Sequence, residues 1–151
     1  MPSFSTTRTV AHPASDMFDL VADVERYPEF VPLCTALAVR SREATPEGEL
    51  ILARMTVAYG PMSESYTSRV RLDRDRLAIA TTAIDGPFRK LENNWLFEPL
   101  DEDECTVHFA LTYELRSFAL GLVVGTLFDR AFRRFADAFV KRADALYGKG
   151  A

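Results

Sequence analysis

Two cysteines and two histidines are all the thiols and imidazoles in this chain, and they are not clustered. Cys34 and Cys105 form no CxxC pair and have no histidine group near them in sequence. Neither a zinc site nor a disulfide framework is therefore indicated, and two reduced, buried thiols are expected. GxSxG, HExxH and a glycine-rich phosphate loop are all missing. His12 falls at a strand end and His108 on the wetter side of a strand, so neither stands beside a Cys or Ser as a base. Nucleophilic, metal and nucleotide chemistry lack their parts, and the chain is not expected to be an enzyme.

Long apolar runs are also missing. No segment approaches the roughly 20 residues of a membrane span, and the opening MPSFSTTRTVAHPAS has no apolar signal core. The expectation is a cytoplasmic protein, at most peripheral to an inner membrane through a transient surface contact. No Gly/Ser linker or shift in composition divides residues 1–151, and 48% apolar content supports one domain with a sizeable core. A net charge of −4 argues against a general polyanion binder, and no DNA partner is expected. The charge is uneven, however: from Arg116 onward seven Lys/Arg face three Asp. A monomer is expected.

Most of the chain carries strand periodicity. Ser3 to His12 reads as a first strand ending before Pro13. Pro13 and Asp16 open a helix with Met17, Leu20, Val21 and Val24 on its apolar stripe. That helix stops near Arg26, because Tyr27 precedes Pro28, and Glu29 to Val31 make one short turn. Strands then follow at Thr35–Glu43, Glu49–Tyr59, Met62–Leu72, Leu77–Ile84, Phe88–Glu98 and Thr106–Leu115. The turns between them are tight, so neighbours should be antiparallel. Period two puts Met55, Val57 and Tyr59 on one face with Ile51 and Ala53, and Tyr66 with Val70 and Leu72. It also groups Leu91, Asn93, Trp95 and Phe97, and groups Phe109, Leu111 and Tyr113 with Val107.

The last segment, Phe118 to Tyr147, reads as one long helix. Val124, Phe128, Ala131, Phe132, Phe135, Phe139, Ala143 and Leu146 recur at steps of three and four and form a face that must be buried. Arg130, Arg133, Arg134, Asp137, Lys141, Arg142 and Asp144 fill the other side. Gly121 and Gly125 each cost about 1 kcal/mol against alanine. They make either a bendable helix start that opens a cavity or touches a membrane, or a close approach to another element. The fold class is α+β: a curved antiparallel sheet of about seven strands, two short helices after the first strand, and a long C-terminal helix in the hollow of the sheet. A cylinder cannot fill a wide trough completely, which leaves a candidate apolar cavity between them.

Three strings, VADVERYPEFVPLC at Val21–Cys34, DGPFRKLENNWLFEPL at Asp85–Leu100 and FADAFVKRADALYG at Phe135–Gly148, sit in this order of elements. Together they resemble the START-like (helix-grip) superfamily, and within it the coenzyme Q-binding and ribosome-association-toxin branch. The resemblance implies a hydrophobic-ligand carrier supporting respiratory electron transfer, with a ubiquinone-type polyprenyl quinone as bound ligand and no obligatory cofactor. Some bacterial relatives are instead described as blocking ribosomal subunit association. That alternative would use the arginines of the last helix, while a small cyclase of the same fold would need an acid such as Glu64.

Within this picture Tyr27, Phe30 and Leu33 either line an entrance for a lipid tail or pin the turn against the long helix. Phe88 and Arg89 follow the Asp85-Gly86-Pro87 corner. Arg89 would hold a quinone carbonyl if it points inward, or pair with a surface carboxylate if outward. Asn93 should point inward with Trp95 and Phe97, as a ligand contact or as part of a structural network. Val124, Phe128 and Phe132 would close the trough from the helix side.

Overall fold

The structure is a computed structural model, and it describes residues 3–59, 62–117, 119, 129–131 and 133–148. Seven strands form one sheet in the order β1-β7-β6-β5-β4-β3-β2, and every neighbouring pair is antiparallel. They are β1 (Ser3–Val10), β2 (Cys34–Ala44), β3 (Gly48–Tyr59), β4 (Met62–Asp73), β5 (Ala78–Ala83), β6 (Phe88–Pro99) and β7 (Cys105–Leu115). Each lies within two residues of the expected segment at either end, because turns such as Thr45-Pro46-Glu47-Gly48 leave the chain little choice of where to reverse.

Helix α1 (Ala14–Ala22) buries Met17, Phe18, Leu20 and Val21. It ends earlier than the sequence suggests. Asp23 leaves helical geometry, and a separate 3-10 helix (Val24–Glu29) carries Pro28 within it. Helix α2 (Phe135–Tyr147) buries Ala136, Phe139 and Ala143 against the sheet. Helical residues also occur at 119, 129–131 and 133, but a turn at Arg134, whose N–H donates to the Ala131 carbonyl at 3.1 Å, separates 133 from α2. Arg134 itself keeps right-handed helical dihedrals (φ −90°, ψ −7°), and residues 118, 120–128 and 132 of the expected helix lie outside the described residues.

The inner face of the sheet is apolar, as period two requires: Ile51, Ala53, Met55 and Val57 on β3, Val70 and Leu72 on β4, Trp95 and Phe97 on β6, and Val107, Phe109 and Leu111 on β7 are all buried. Register shifts at Cys34/Ala36, Val39/Ser41 and Phe88/Lys90 mark bulges that bend the strands and add twist, curling the sheet around its helices. Polar ties hold α2 down. Arg8 of β1 bonds Asp137, the buried His12 meets Asp144 at 2.7 Å, and Arg142 reaches Glu29 of the 3-10 helix. Asp137, Arg142 and Asp144, expected on a free outer face, are thus fasteners to neighbouring elements.

Candidate ligand cavity

Between the sheet and the helices lies a cavity of about 50 Å³. Its floor comes from four adjacent strands: Ala53 and Met55 (β3), Tyr66, Ser68 and Val70 (β4), Thr81 (β5), and Leu91, Asn93 and Trp95 (β6). Leu37 and Leu111 extend the wall, Val24, Tyr27 and Val31 close one side, and Phe135 and Phe139 of α2 make the roof. Phe139 lies edge-on to Tyr27, Phe30 and Trp95, with ring centroids 5.2, 4.9 and 4.9 Å away. Such tilted contacts suit the ring quadrupoles and lock the roof to the floor.

Polar groups in this apolar chamber are few, and most are already matched. The Tyr27 hydroxyl donates to the Val21 carbonyl, and the Asn93 amide donates to the Ala110 carbonyl at 3.0 Å while accepting from Trp95 Nε1 at 2.9 Å. Asn93 therefore belongs to a structural network and also lines the cavity. The Ser68 hydroxyl reaches the Ala53 carbonyl at 3.4 Å. Tyr66 is different: its hydroxyl donates to the Met55 sulfur at 3.3 Å, a weak acceptor. Burial pushes both phenols well above the ordinary tyrosine range, so they remain neutral donors.

Seven of the residues singled out in the sequence line this cavity: Tyr27, Met55, Tyr66, Leu91, Asn93, Trp95 and Leu111. Val57, Phe88, Phe97, Phe109 and Tyr113 face the same side but are packed into the core around it. Phe97, for example, lies edge-on to Phe18 of α1. Phe30 and Leu33 sit near one end, outside the cavity wall. Leu33 holds a left-handed φ of 67°, uncommon without glycine, where the chain turns into β2.

Arg89 is a correction. Its side chain is exposed and pairs with Glu114 at 3.3 Å on the outer surface. Glu64 does not line the cavity either. Val124, Phe128, Phe132 and the side chain of Tyr59 lie outside the described residues. Sequence reasoning did not select Val24, Val31, Leu37, Ala53, Ser68, Val70, Thr81, Phe135 or Phe139 as lining. The signal was present for several of them: Ala53, Ser68 and Val70 share strand parity with Met55 and Tyr66, and Phe135 and Phe139 were on the buried helix stripe.

The family profile described as polyketide cyclase / dehydrase and lipid transport matches residues 10–140. The chain belongs to this family. It is 34% identical to a Vibrio cholerae protein named ribosome association toxin RatA, over 99% of this chain and all of that one. It is 28% identical to the Xenopus laevis protein named coenzyme Q-binding protein COQ10 homolog B, mitochondrial, over 97% of this chain and 59% of that one. The fold matches a START superfamily protein from Mycobacterium smegmatis with a TM-score of 0.79 over 95% of this chain and 98% of that one, at 23% identity. The family is thus that of polyketide cyclase / dehydrase and lipid transport, and the fold is START-like. Among the described residues no helix is long and apolar enough to cross a membrane.

Proposed function

We propose that the protein binds an apolar, ring-bearing lipid of the polyprenyl-quinone class between sheet and helix, and carries it without turning it over, in support of respiratory electron transfer. One observation carries this reading: an interior chamber walled by Met55, Leu91, Trp95, Leu111, Phe135 and Phe139 that contains a buried phenol whose hydrogen-bond partner among the described residues is a thioether. A mostly hydrocarbon wall in which the Tyr66 hydroxyl is engaged only by a weak acceptor suits a molecule that is mostly greasy and bears a carbonyl at one end. The likeness to the coenzyme Q-binding protein supports the quinone class.

At about 50 Å³ the chamber is well below the roughly 300–1,000 Å³ of ordinary ligand pockets. A quinone ring enters only if α2 or the 3-10 helix withdraws and Phe139 leaves Trp95. Burying a few hundred Å² of tail at about 25 cal/mol per Å² supplies several kcal/mol toward that movement. The test is native mass spectrometry of gently purified protein, with titration by a short-chain ubiquinone read from Trp95 emission. Bound lipid and saturable quenching are expected; lipid-free protein with unquenched Trp95 overturns the reading.

A second reading, association with the ribosome, is favoured by the match to the protein named RatA, which is higher in identity than the match to the coenzyme Q-binding homologue. The arginines of the last helix are weaker support than the sequence suggested, because Arg133 pairs with Asp129 and Arg142 with Glu29. The two readings concern different parts of the molecule, interior and surface, and one does not exclude the other.

A further inference from the structure

Strand parity places four arginines on the outer face of three adjacent strands: Arg40 on β2, Arg54 on β3, and Arg69 and Arg71 on β4. The register puts Leu52 opposite Arg69, Leu50 opposite Arg71, and Arg54 opposite Thr67 and Ala38, and Arg40 shares the outward parity of Ala38. Strands lie about 4.8 Å apart and residues i and i+2 about 6.8 Å apart, so the four Cα atoms fall in a patch roughly 10 by 14 Å. Arg40, Arg69 and Arg71 are exposed and Arg54 is half-buried. None of the four has a carboxylate at ion-pair distance among the described residues, whereas Arg8, Arg26, Arg42, Arg74, Arg89, Arg133 and Arg142 all do. Asp85 is committed to the Thr67 N–H and is held below the usual carboxylate range, chiefly by that bond and in smaller part by Arg54.

A protein of net charge −4 that leaves four neighbouring guanidiniums uncompensated has a local field opposite to its overall one. The acids of the same face are Glu43 on β2, in one row with Leu50 and Arg71, Asp73 on β4, whose carboxylate accepts from the Arg76 N–H, and Glu92, Glu98 and Glu114 on β6 and β7; none of them stands at ion-pair distance from the four arginines. From Arg71, Asp73 and Arg76 a shallow trough crosses the small side chains of Ala80 and Ala110, passes His108 and ends at Ser5–Thr7 of β1, giving a ridge-shaped partner room to lie across the strands. The outward positions of β2 to β4 hold no aromatic residue on which a base could stack. Their large apolar side chains are Leu50 and Leu52, both half-buried between arginines, so the patch offers little to insert into a bilayer. Guanidinium forks match phosphate oxygens bidentately.

We propose that the Arg40/Arg54/Arg69/Arg71 face docks on the phosphodiester backbone of structured RNA, through phosphates and shape and without reading bases. This rests on the ribosome-association reading for the source of the RNA, and moves the contact from the C-terminal helix to the back of the sheet.

The experiment measures fluorescence anisotropy of a labelled, mixed-sequence RNA duplex, and cosedimentation with ribosomal subunits, over a salt series. For four phosphate contacts the slope of log K against log salt should be roughly −3 to −4, a loss of about 100-fold between 50 and 200 mM. Changing all four arginines to Gln should abolish binding, the R69Q/R71Q pair should reduce the slope by about two, and the four-Lys variant should retain the slope. An R130Q/R134Q/K141Q helix variant should bind as the wild type does. Circular dichroism and Trp95 emission check that each variant is folded. Undiminished binding by the four-Gln variant, or loss in the helix variant alone, overturns the surface and leaves ribosome association standing. Wild-type protein that binds neither duplex nor subunits overturns both, and binding to phosphatidylglycerol vesicles in place of RNA overturns the choice of partner.

Discussion

Trp95 of β6 and Phe139 of α2 meet edge to face at 4.9 Å, and this contact is where the floor of the sheet touches the roof of the cavity. Phe139 also holds Tyr27 and Phe30, so one side chain joins the sheet, the 3-10 helix and α2. The size of the chamber depends on that ring.

Phe139→Ala should therefore enlarge the cavity and cost about 3–5 kcal/mol of stability, the usual range for a buried phenylalanine. Denaturant unfolding measures the loss. Trp95 emission should shift in the folded state, and a short-chain ubiquinone should enter faster, because the ring that blocks its path is gone. An unchanged association rate would mean that entry does not pass Phe139.

Tyr66→Phe removes the hydroxyl whose acceptor is the Met55 sulfur. Little stability should be lost, since a weak bond disappears and a buried polar group goes with it. Affinity for a short-chain quinone should fall about tenfold, the equivalent of one hydrogen bond of about 1.4 kcal/mol. Affinity for a hydrocarbon of matched length should not change. Equal losses for both ligands would show that the hydroxyl shapes the wall and does not hold the head group.

Gly86 has φ +85°, and a Cβ there would lie 2.5 Å from Tyr66 Cβ. Gly86→Ala should destabilise by about 2 kcal/mol or more through backbone strain and that clash. It should also weaken quinone binding by displacing Tyr66. Stability from chemical unfolding and affinity from Trp95 quenching should fall together.

Burial raises the thiols of Cys34 and Cys105 to about 11 and raises Tyr27 and Tyr66 further. Acids whose folded pKa lies above the unfolded value favour the folded state below the unfolded pKa, and lose that contribution as pH rises past it. Stability should therefore decline above about pH 9, the alkaline limb that begins with thiol ionisation in the unfolded chain. Unfolding midpoints across pH check this, and Cys34→Ser together with Cys105→Ser should flatten the onset. Both thiols should resist alkylation at neutral pH until the protein unfolds.

Much of the fold was legible because it depends on local rules. Period two sorted β3, β4, β6 and β7 into inward and outward residues, and the helical stripe identified Phe135, Phe139 and Ala143. Arg89 shows where such rules stop. Counting back by twos from Leu91 puts Arg89 inside, yet Phe88 and Leu91 are both buried, because a bulge between Phe88 and Lys90 turns Arg89 outward. A bulge is fixed by the register of the partner strand, which the single strand does not encode by itself. His12 is a second case: its burial against Asp144 joins residues far apart in the chain, and no pattern around His12 announces it.

The sequence by itself determined the strands, their inward faces and the apolar stripe of the last helix, because these follow from side-chain periodicity and turn chemistry over a few residues. Tertiary structure decided which inward residues meet empty space and which meet a helix, since that depends on where α1, the 3-10 helix and α2 come to rest. Tyr66 lines the chamber and Phe97 packs under Phe18 for that reason alone. It likewise decided that the unpaired arginines gather on the back of the sheet, because strands distant in sequence become neighbours only through the register that pairs them.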